Sequence, residues 1–478
     1  MTSAAAKTAS RYVDDEVVQR LLKAADFLVF FATAMSYSTA LADRLDIPNG
    51  AAIITFFSLA LSFLCILLLR DLGLYKAPAL LNGGWGFLKS TATAFITGVA
   101  AYSLLNHFLG PLSPQWPLYW FLIVSSHMAL TRFIAQVWAR PVAKQGRFRK
   151  RIAIVGGGKV AEDALGALEA SRDLDIEVIG LFDDRDDVRS PKSIRRHMKI
   201  GKITDLATYA RNHRVDLIIV AIPLSAEARL LYILKRLWEL PVDIRISGKA
   251  SSLKFSSGAY TYIGRLPLLS VFDRPLMGWG LFLKNVFDRV VAAVAIVALA
   301  PVMLLVAAAI RLESKGPVIF RQKRYGFNNE LIEVFKFRSM YTDRCDAHAT
   351  MLVTKGDPRV TRVGRLIRKT SLDELPQLFN VLTGQLSLVG PRPHATQAKA
   401  ADTLYEQVVD GYFARHKVRP GITGWAQING WRGETDTREK IEQRVKYDLD
   451  CIDHWSLMFD IAILARTPVA LLKSENAY

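Results

Sequence analysis

The sequence predicts a membrane α-helical bundle joined to α/β architecture: four transmembrane helices, a doubly wound middle domain, and an α-rich third domain with a re-entrant membrane helix. Three observations carry that prediction. Apolar stretches fill the first third of the chain, and strand and helix patterns then alternate. A later apolar run has a proline at its middle and basic residues at both ends.

At 478 residues the chain is too long for one ordinary domain. Hydrophobic residues make up 51%, yet 22% are charged, which reads as membrane segments joined to water-exposed domains. The net charge of +18 suits anionic head groups or phosphorylated substrates. Nucleic acid is not expected as a partner, since no reader motif accompanies the charge. Cys65, Cys345 and Cys451 lie far apart with no CxxC pair, which implies neither a disulfide framework nor a zinc site.

The apolar stretches run over roughly 20–42, 51–69, 91–110 and 117–138, each near the ~20 residues that span a hydrocarbon core. Ser36, Ser38 and Thr39 dilute the first. Asp14, Asp15 and Glu16 precede it and no small-residue cleavage site follows, so a retained anchor is expected. Arg70, Lys76 and Lys89 lie between the second and third stretches, and neither Lys nor Arg lies between the third and fourth. A basic run follows the fourth: Arg140, Lys144, Arg147, Arg149, Lys150 and Arg151. The positive-inside rule puts both ends of the bundle, residues 1–145, in the cytoplasm, with the later domains on that face of the membrane.

From Arg151 the pattern is strand, helix, strand. Arg151–Val155 is β-branched, Gly156-Gly157-Gly158 opens a helical stretch, Glu177–Phe182 ends in Asp183-Asp184, and Asp216–Ala221 is a third strand. This predicts a Rossmann-like domain over 146–275. Gly156 and Gly158, with Ala161, approximate a dinucleotide fingerprint, in which glycines let phosphate approach a helix N-terminus. A purely structural or regulatory domain is the other reading.

The third domain, 276–478, opens with the apolar run Val290–Ile310. Lys284 and Arg289 precede it; Arg311, Lys315, Arg321, Lys323 and Arg324 follow. A full span would carry one basic set across the membrane, against the positive-inside rule. Pro301 removes a helix hydrogen bond. A helix over 281–312 that breaks at Ala300-Pro301 and returns keeps both ends cytoplasmic.

Residues 311–433 carry the candidate chemistry. Ser371-Leu372-Asp373-Glu374 has the spacing of a capping box, with Ser371 at the N-cap and Glu374 three residues on. The same geometry suits a metal-binding pair on the first turn of a helix, with one carboxylate attacking phosphorus. Lys336, Arg338, Arg359, Arg368 and Arg392 surround the pair in sequence, and phosphoryl transfer needs little beyond positioning and such cations. Arg392 sits between Pro391 and Pro393, a stiff setting for a phosphate-binding fork.

Four segments in this block resemble the bacterial sugar transferases, the monotopic phosphoglycosyl transferases. They are Phe320–Gly326 (FRQKRYG), Lys336–Met340 (KFRSM), Asp357–Pro393, which contains SLDELPQ and LVGPRP, and Arg419–Thr437 (RPGITGWAQINGWRGETDT). The resemblance covers about 280 to the C-terminus, and the preceding helices and Rossmann-like domain match the family's larger members. It implies a re-entrant helix broken at a proline, Asp373 as nucleophile, Glu374 as its partner in a metal-binding dyad, and a Mg2+ requirement. It implies transfer of hexose-1-phosphate from a UDP-sugar to undecaprenyl phosphate, with release of UMP through an aspartyl-phosphosugar. Lys336 and Arg392 match functional basic positions; Arg324, Arg338, Asp357, Arg359, Arg368 and Arg432 fall in the shared motifs. The Asn429–Thr437 segment is similar to that of members using UDP-glucose for exopolysaccharides. A homodimer and downstream glycosyltransferases of the same pathway are further implied partners. The sequence departs from the family at Phe327-Asn328-Asn329, where a glycine is common, so a changed turn is expected.

A membrane-anchored NAD-dependent epimerase or dehydratase is the first rival. It needs a Tyr-x-x-x-Lys pair, and no tyrosine here has lysine four residues later. A non-catalytic scaffold binding anionic lipid is the second, but it does not explain why the dyad, KFRSM and GPRP occur together. The C-terminal segment Asp453–Lys473 suits either an amphipathic helix on the membrane or packing on the third domain.

Overall fold

The computed structural model describes residues 15–45, 50–75, 83–109, 115–145, 149–170, 176–185, 190–248, 260–273, 275–342, 357–393, 399–400, 403–404, 412–431 and 437–473. Two compact units divide the chain, Ser10–Arg149 and Lys150–Tyr478. The expected middle and third domains therefore lie within a single unit.

Helices form over all four apolar stretches of the first unit: α1 (Asp15–Leu45), α2 (Gly50–Asp71), α3 (Gly83–Leu109) and α4 (Trp116–Lys144). Their shared core holds Phe30, Leu61, Cys65, Leu69, Trp120 and Met128. Asp26 is wholly buried there, accepting hydrogen bonds from both Arg132 terminal nitrogens at 2.8 Å and from the Tyr75 hydroxyl at 2.8 Å. Pairing is what makes a buried carboxylate tolerable. The outer faces stay apolar, with Phe56 74% and Ile96 67% exposed. Among the described residues two segments are long and apolar enough to cross a membrane, Leu118–Ala143 and Gly278–Glu313.

In the second unit, alternation of apolar strands with amphipathic helices builds an eight-stranded sheet in the order β3-β4-β2-β1-β5-β6-β8-β7. Its strands are β1 (Lys150–Val155), β2 (Ile176–Phe182), β3 (Ser193–Ile194), β4 (His197–Gly201), β5 (Leu217–Val220), β6 (Asp243–Ser247), β7 (Tyr260–Ile263) and β8 (Leu266–Phe272). The central five are parallel, and β8 with β7 adds an antiparallel edge. Helix α5 (Lys159–Glu169) buries Ala161, Ala164, Leu165 and Leu168 on one face. Helices α6 (Ile203–Asn212) and α7 (Glu227–Leu237) bury Ile203, Leu206, Ile233 and Leu237 on the other. Covering both faces of a parallel sheet is what its continuous Ile/Val runs require.

Helix α8 (Gly278–Glu313) then leads to the hairpin β9 (Ile319–Tyr325) and β10 (Leu331–Phe337). The helix does not break at Pro301: its residues stay helical from Gly278 to Glu313 with the proline inside. One proline removes one donor and bends a helix, and in an apolar run little competes for the freed carbonyl. Both halves of α8 pack on the same domain. Ala292, Ile296 and Leu299 join a core with Val334, Leu378, Val381 and Ile463, while Met303, Val306 and Ile310 meet Phe337 and Ile367. Its other side presents Val297, Leu304 and Leu305, each more than 70% exposed.

The remainder holds α9 (Arg362–Lys369), α10 (Gln377–Leu382), β11 (Ser387–Val389), β12 (Lys399–Ala400), β13 (Thr403–Leu404), β14 (Gly421–Thr423), α11 (Trp425–Ile428), α12 (Arg438–Asp453) and α13 (Leu457–Lys473). Helix α13 packs inward through Ile463 and Asp460, and Lys284 of α8 reaches Asp460 at 2.7 Å. Met458 on the same helix is 73% exposed, so the helix is packed on one side and apolar on another. At the departure from the family pattern, Asn328 and Asn329 take left-handed φ of 55° and 60° in the β9–β10 turn. Asparagine tolerates that region better than other side chains, so the turn closes there without glycine.

Candidate active site

Asp373 and Glu374 sit on a single 3-10 turn, Leu372–Glu374, between α9 and α10. The capping box read from the sequence does not form. Ser371 adopts left-handed φ of 60°, and its side chain does not cap the turn. A capping serine needs an extended backbone, which this tight chain reversal denies it. The turn itself closes through Glu374 N–H donating to Ser371 O at 3.2 Å.

The dyad is asymmetric. One oxygen of Glu374, Oε1, accepts from Lys336 Nζ at 3.0 Å and from Arg392 Nη2 at 2.8 Å. Burial disfavours the charge of Glu374, but Arg392 and Lys336 outweigh it and hold this carboxyl far below the usual range. Asp373 is half-buried, and among the described residues its carboxylate accepts no hydrogen bond. Burial holds its carboxyl above the ordinary range, with Glu374 adding to this and Lys336, Arg368 and Arg392 opposing it. One acid is locked and ionised, and its neighbour is left with free lone pairs among cations.

Buried Asn380 of α10 sets this geometry. Its side-chain oxygen accepts from Phe335 N–H at 2.9 Å and its nitrogen donates to Glu333 O at 2.7 Å. That pins β10, and so Lys336, against the helix that follows the dyad. On the other side the Pro391–Pro393 loop brings Arg392 in from the end of β11. The structure gathers Lys336, Asp373, Glu374 and Arg392 in one place.

The remaining sequence candidates divide. Arg368, in the last turn of α9, is near enough to Asp373 to favour its charged form. Arg324 faces the loop, donating to Pro393 O at 2.8 Å and to Gln322 Oε1 at 2.7 Å. Arg359 and Asp357 bond each other at 2.6 Å. Arg338 closes the C-terminus of α8, donating to Ser314 O at 2.8 Å and Lys315 O at 2.9 Å. Unpaired carbonyls at a helix end attract a guanidinium, which explains why this buried arginine serves the helix. Arg432 lies outside the described residues, as does Cys345.

Sequence reasoning missed Asn380 and a second buried pair, Arg415 with Asp448. A polar residue in the apolar hexapeptide QLFNVL was the available signal for Asn380; neither member of the pair stands out from its neighbours.

In the middle domain Gly156 takes φ of +116°, and a Cβ there would strike Ala221 O at 2.7 Å, so the turn after β1 needs glycine. Gly158 is the N-cap of α5. The acids that would read a ribose are committed elsewhere. Asp183 is held by Arg185 at 2.8 Å and Arg229 at 2.9 Å, and Asp184 accepts from Ile203 N–H at 2.9 Å.

Among the described residues no three His, Cys, Asp or Glu side chains come together as a metal site. The dyad offers Asp373 and the second oxygen of Glu374. That donor set fits Mg2+, which commonly takes one or two carboxylates and fills its shell with water and substrate phosphates, but not an all-protein cage.

Residues 279–474 match the bacterial sugar transferase family model, and residues 80–248 match a CoA-binding domain model. The chain is 38% identical over 360 residues to an undecaprenyl-phosphate glucose phosphotransferase of Komagataeibacter xylinus, covering 75% of this chain and 66% of that protein. It is 35% identical over 391 residues to a UDP-glucose:undecaprenyl-phosphate glucose-1-phosphate transferase of Klebsiella pneumoniae, covering 82% of each. To the protein of that name from Escherichia coli (strain K12) it is 35% identical over 400 residues, 84% of this chain and 82% of the relative.

Proposed function

We propose that this chain, which belongs to the bacterial sugar transferase family, transfers glucose-1-phosphate from UDP-glucose to undecaprenyl phosphate and releases UMP. The observation that carries the reading is the dyad's asymmetry, with Glu374 fixed between Lys336 and Arg392 while Asp373 keeps its lone pairs.

The chemistry follows from that arrangement. An Asp373 oxygen attacks the phosphorus that bears the glucose. The bond from that phosphorus to the bridging oxygen breaks, and UMP leaves with the electron pair. The aspartyl-phosphoglucose then meets a phosphate oxygen of undecaprenyl phosphate. The Asp373–phosphorus bond breaks, which regenerates the carboxylate and gives undecaprenyl-diphosphate glucose. Lys336 and Arg392 lower the cost of bringing a carboxylate to an anionic diphosphate, and Arg368 adds to that field. Mg2+ held by Asp373, Glu374 and the substrate would neutralise charge on the diphosphate oxygens. The lipid-linked glucose is what downstream glycosyltransferases of exopolysaccharide assembly consume.

Helices α1 to α4 span the inner membrane, with the second unit on the cytoplasmic face. Helix α8 is re-entrant, bent at Pro301. Its 36 residues would reach ~54 Å if straight, against a ~30 Å hydrocarbon core, and both halves pack on one domain. UMP release from UDP-glucose by the purified protein with Mg2+ tests the activity, and replacing UDP-glucose by UDP-galactose tests the sugar. Failure of every UDP-hexose to yield UMP contradicts the proposal.

A further inference from the structure

The loop carrying Arg392 is held by its carbonyls. Three successive ones take three separate donors: Pro391 O accepts from Gly421 N–H at 2.9 Å, Arg392 O from Arg415 at 2.6 Å, and Pro393 O from Arg324 at 2.8 Å. The middle donor is the unusual one. Arg415 lies in the 3-10 segment Tyr412–Lys417 and is 0% exposed, the largest fully buried side chain of the described residues. Asp448 of α12, itself 2% exposed, lies 2.7 Å from the same Nη2 that donates to Arg392 O.

Burying an ion pair is costly, and a neutral donor would satisfy a carbonyl as well. Here the charge also serves, because one nitrogen, Nη2, donates to the backbone carbonyl and lies against a buried helix carboxylate. Space enforces the arrangement. A Cβ on Gly390 would meet Arg419 O at 2.5 Å, and one on Gly421 would meet Gly390 N at 2.1 Å. The backbone on both sides of the loop is in direct contact, and from it the Arg392 side chain reaches Glu374 at 2.8 Å.

We propose that Arg415, ion-paired with Asp448, is a positioning residue: it fixes the Arg392 backbone so that the guanidinium meets Glu374 and, during the reaction, the substrate phosphate. The role of Arg392 in this inference rests on the proposed function; the contact itself does not.

Removing Arg415 alone takes the contacting cation from buried Asp448 and leaves it only Arg444, so the test replaces the pair. The Arg415→Met/Asp448→Leu double variant exchanges buried charge for apolar volume, a change that folds tolerate. In full-length protein held in lipid nanodiscs, kcat for UMP release is expected to fall about 10- to 100-fold with KM for UDP-glucose nearly unchanged. In an Arg392→Ala background the same double change is expected to cost nothing further. Arg415→Lys, which keeps the charge beside Asp448 on a shorter side chain, is expected to lie between wild type and the double variant. Hydrogen exchange in peptides spanning Gly390–Pro393 is expected to quicken in both. An equal loss with and without Arg392, or no loss at all, overturns the proposal. If wild type releases no UMP, the proposed function falls, and exchange alone decides the positioning role: unchanged exchange in both variants overturns it.

Discussion

Two adjacent carboxylates differ because of what surrounds them. Lys336 and Arg392 take Glu374, and burial raises Asp373. A carboxyl held above its unfolded value binds its proton more tightly in the folded state. Its contribution to stability therefore falls as pH rises from about 4 through the folded value. Asp373→Asn removes that penalty, so the variant is expected to melt no lower than wild type at pH 7 while UMP release falls at least about 1,000-fold. Calorimetry and the UMP assay on one preparation check both. Glu374 behaves oppositely, adding stability above about pH 4.5 that is lost as pH falls further. On the proposed mechanism Asp373 attacks as the carboxylate, so kcat/KM is expected to have an acid limb. Lys336→Met withdraws a cation that opposes burial, so a pH-rate profile should show that limb at higher pH. Arg338 separates chemistry from structure. Its bonds close α8, so Arg338→Met is expected to cost ~3 kcal/mol by chemical unfolding.

At the scale of elements, β10 and α10 are one device. Asn380 bonds the backbone on both sides of Val334, two residues before Lys336. Asn380→Leu should leave two β10 backbone groups short of partners and cost ~2 kcal/mol in a denaturant melt. The same change should lower kcat more than it raises KM for UDP-glucose. The sheet strands were legible because Ile and Val runs ending at Gly156 and Asp183 read the same locally and globally. The four motif segments pointed to the dyad, Lys336 and Arg392 for a similar reason, since each is short and chemically dense. Ser371 was misread because a capping box assumes an extended serine, and the backbone here turns left-handed. The contacts of Arg338 with the end of α8 were not legible, because an arginine beside a phosphate motif and one closing a distant helix end look alike in sequence. The Arg415–Asp448 contact joins residues 33 positions apart, a pairing that only the fold creates.

Over the whole molecule, the second unit binds the sheet to the catalytic segment through cations. Lys417 lies 5.2 Å from the Trp238 ring and 5.5 Å from Phe272, and Arg211 lies 5.8 Å from Phe413. Those contacts join the two expected domains. Trp238→Ala is expected to cost ~3 kcal/mol, read as a lower melting temperature of the full chain. The re-entrant reading of α8 is tested in cells: single cysteines at Gly278 and Leu312 should both react with a thiol reagent from the cytoplasmic side only. Labelling of one from each side would make α8 a full span.

The central claim is a covalent bond to Asp373, and the most direct measurement is the intact mass of the protein after UDP-glucose and Mg2+ are added without undecaprenyl phosphate. Wild type is predicted to gain the mass of one hexose phosphate, carried on the peptide containing Asp373 and discharged when the lipid is added. The Asp373→Asn protein should gain nothing. UMP release with no adduct on wild type, or an adduct that persists in Asp373→Asn, would contradict the account.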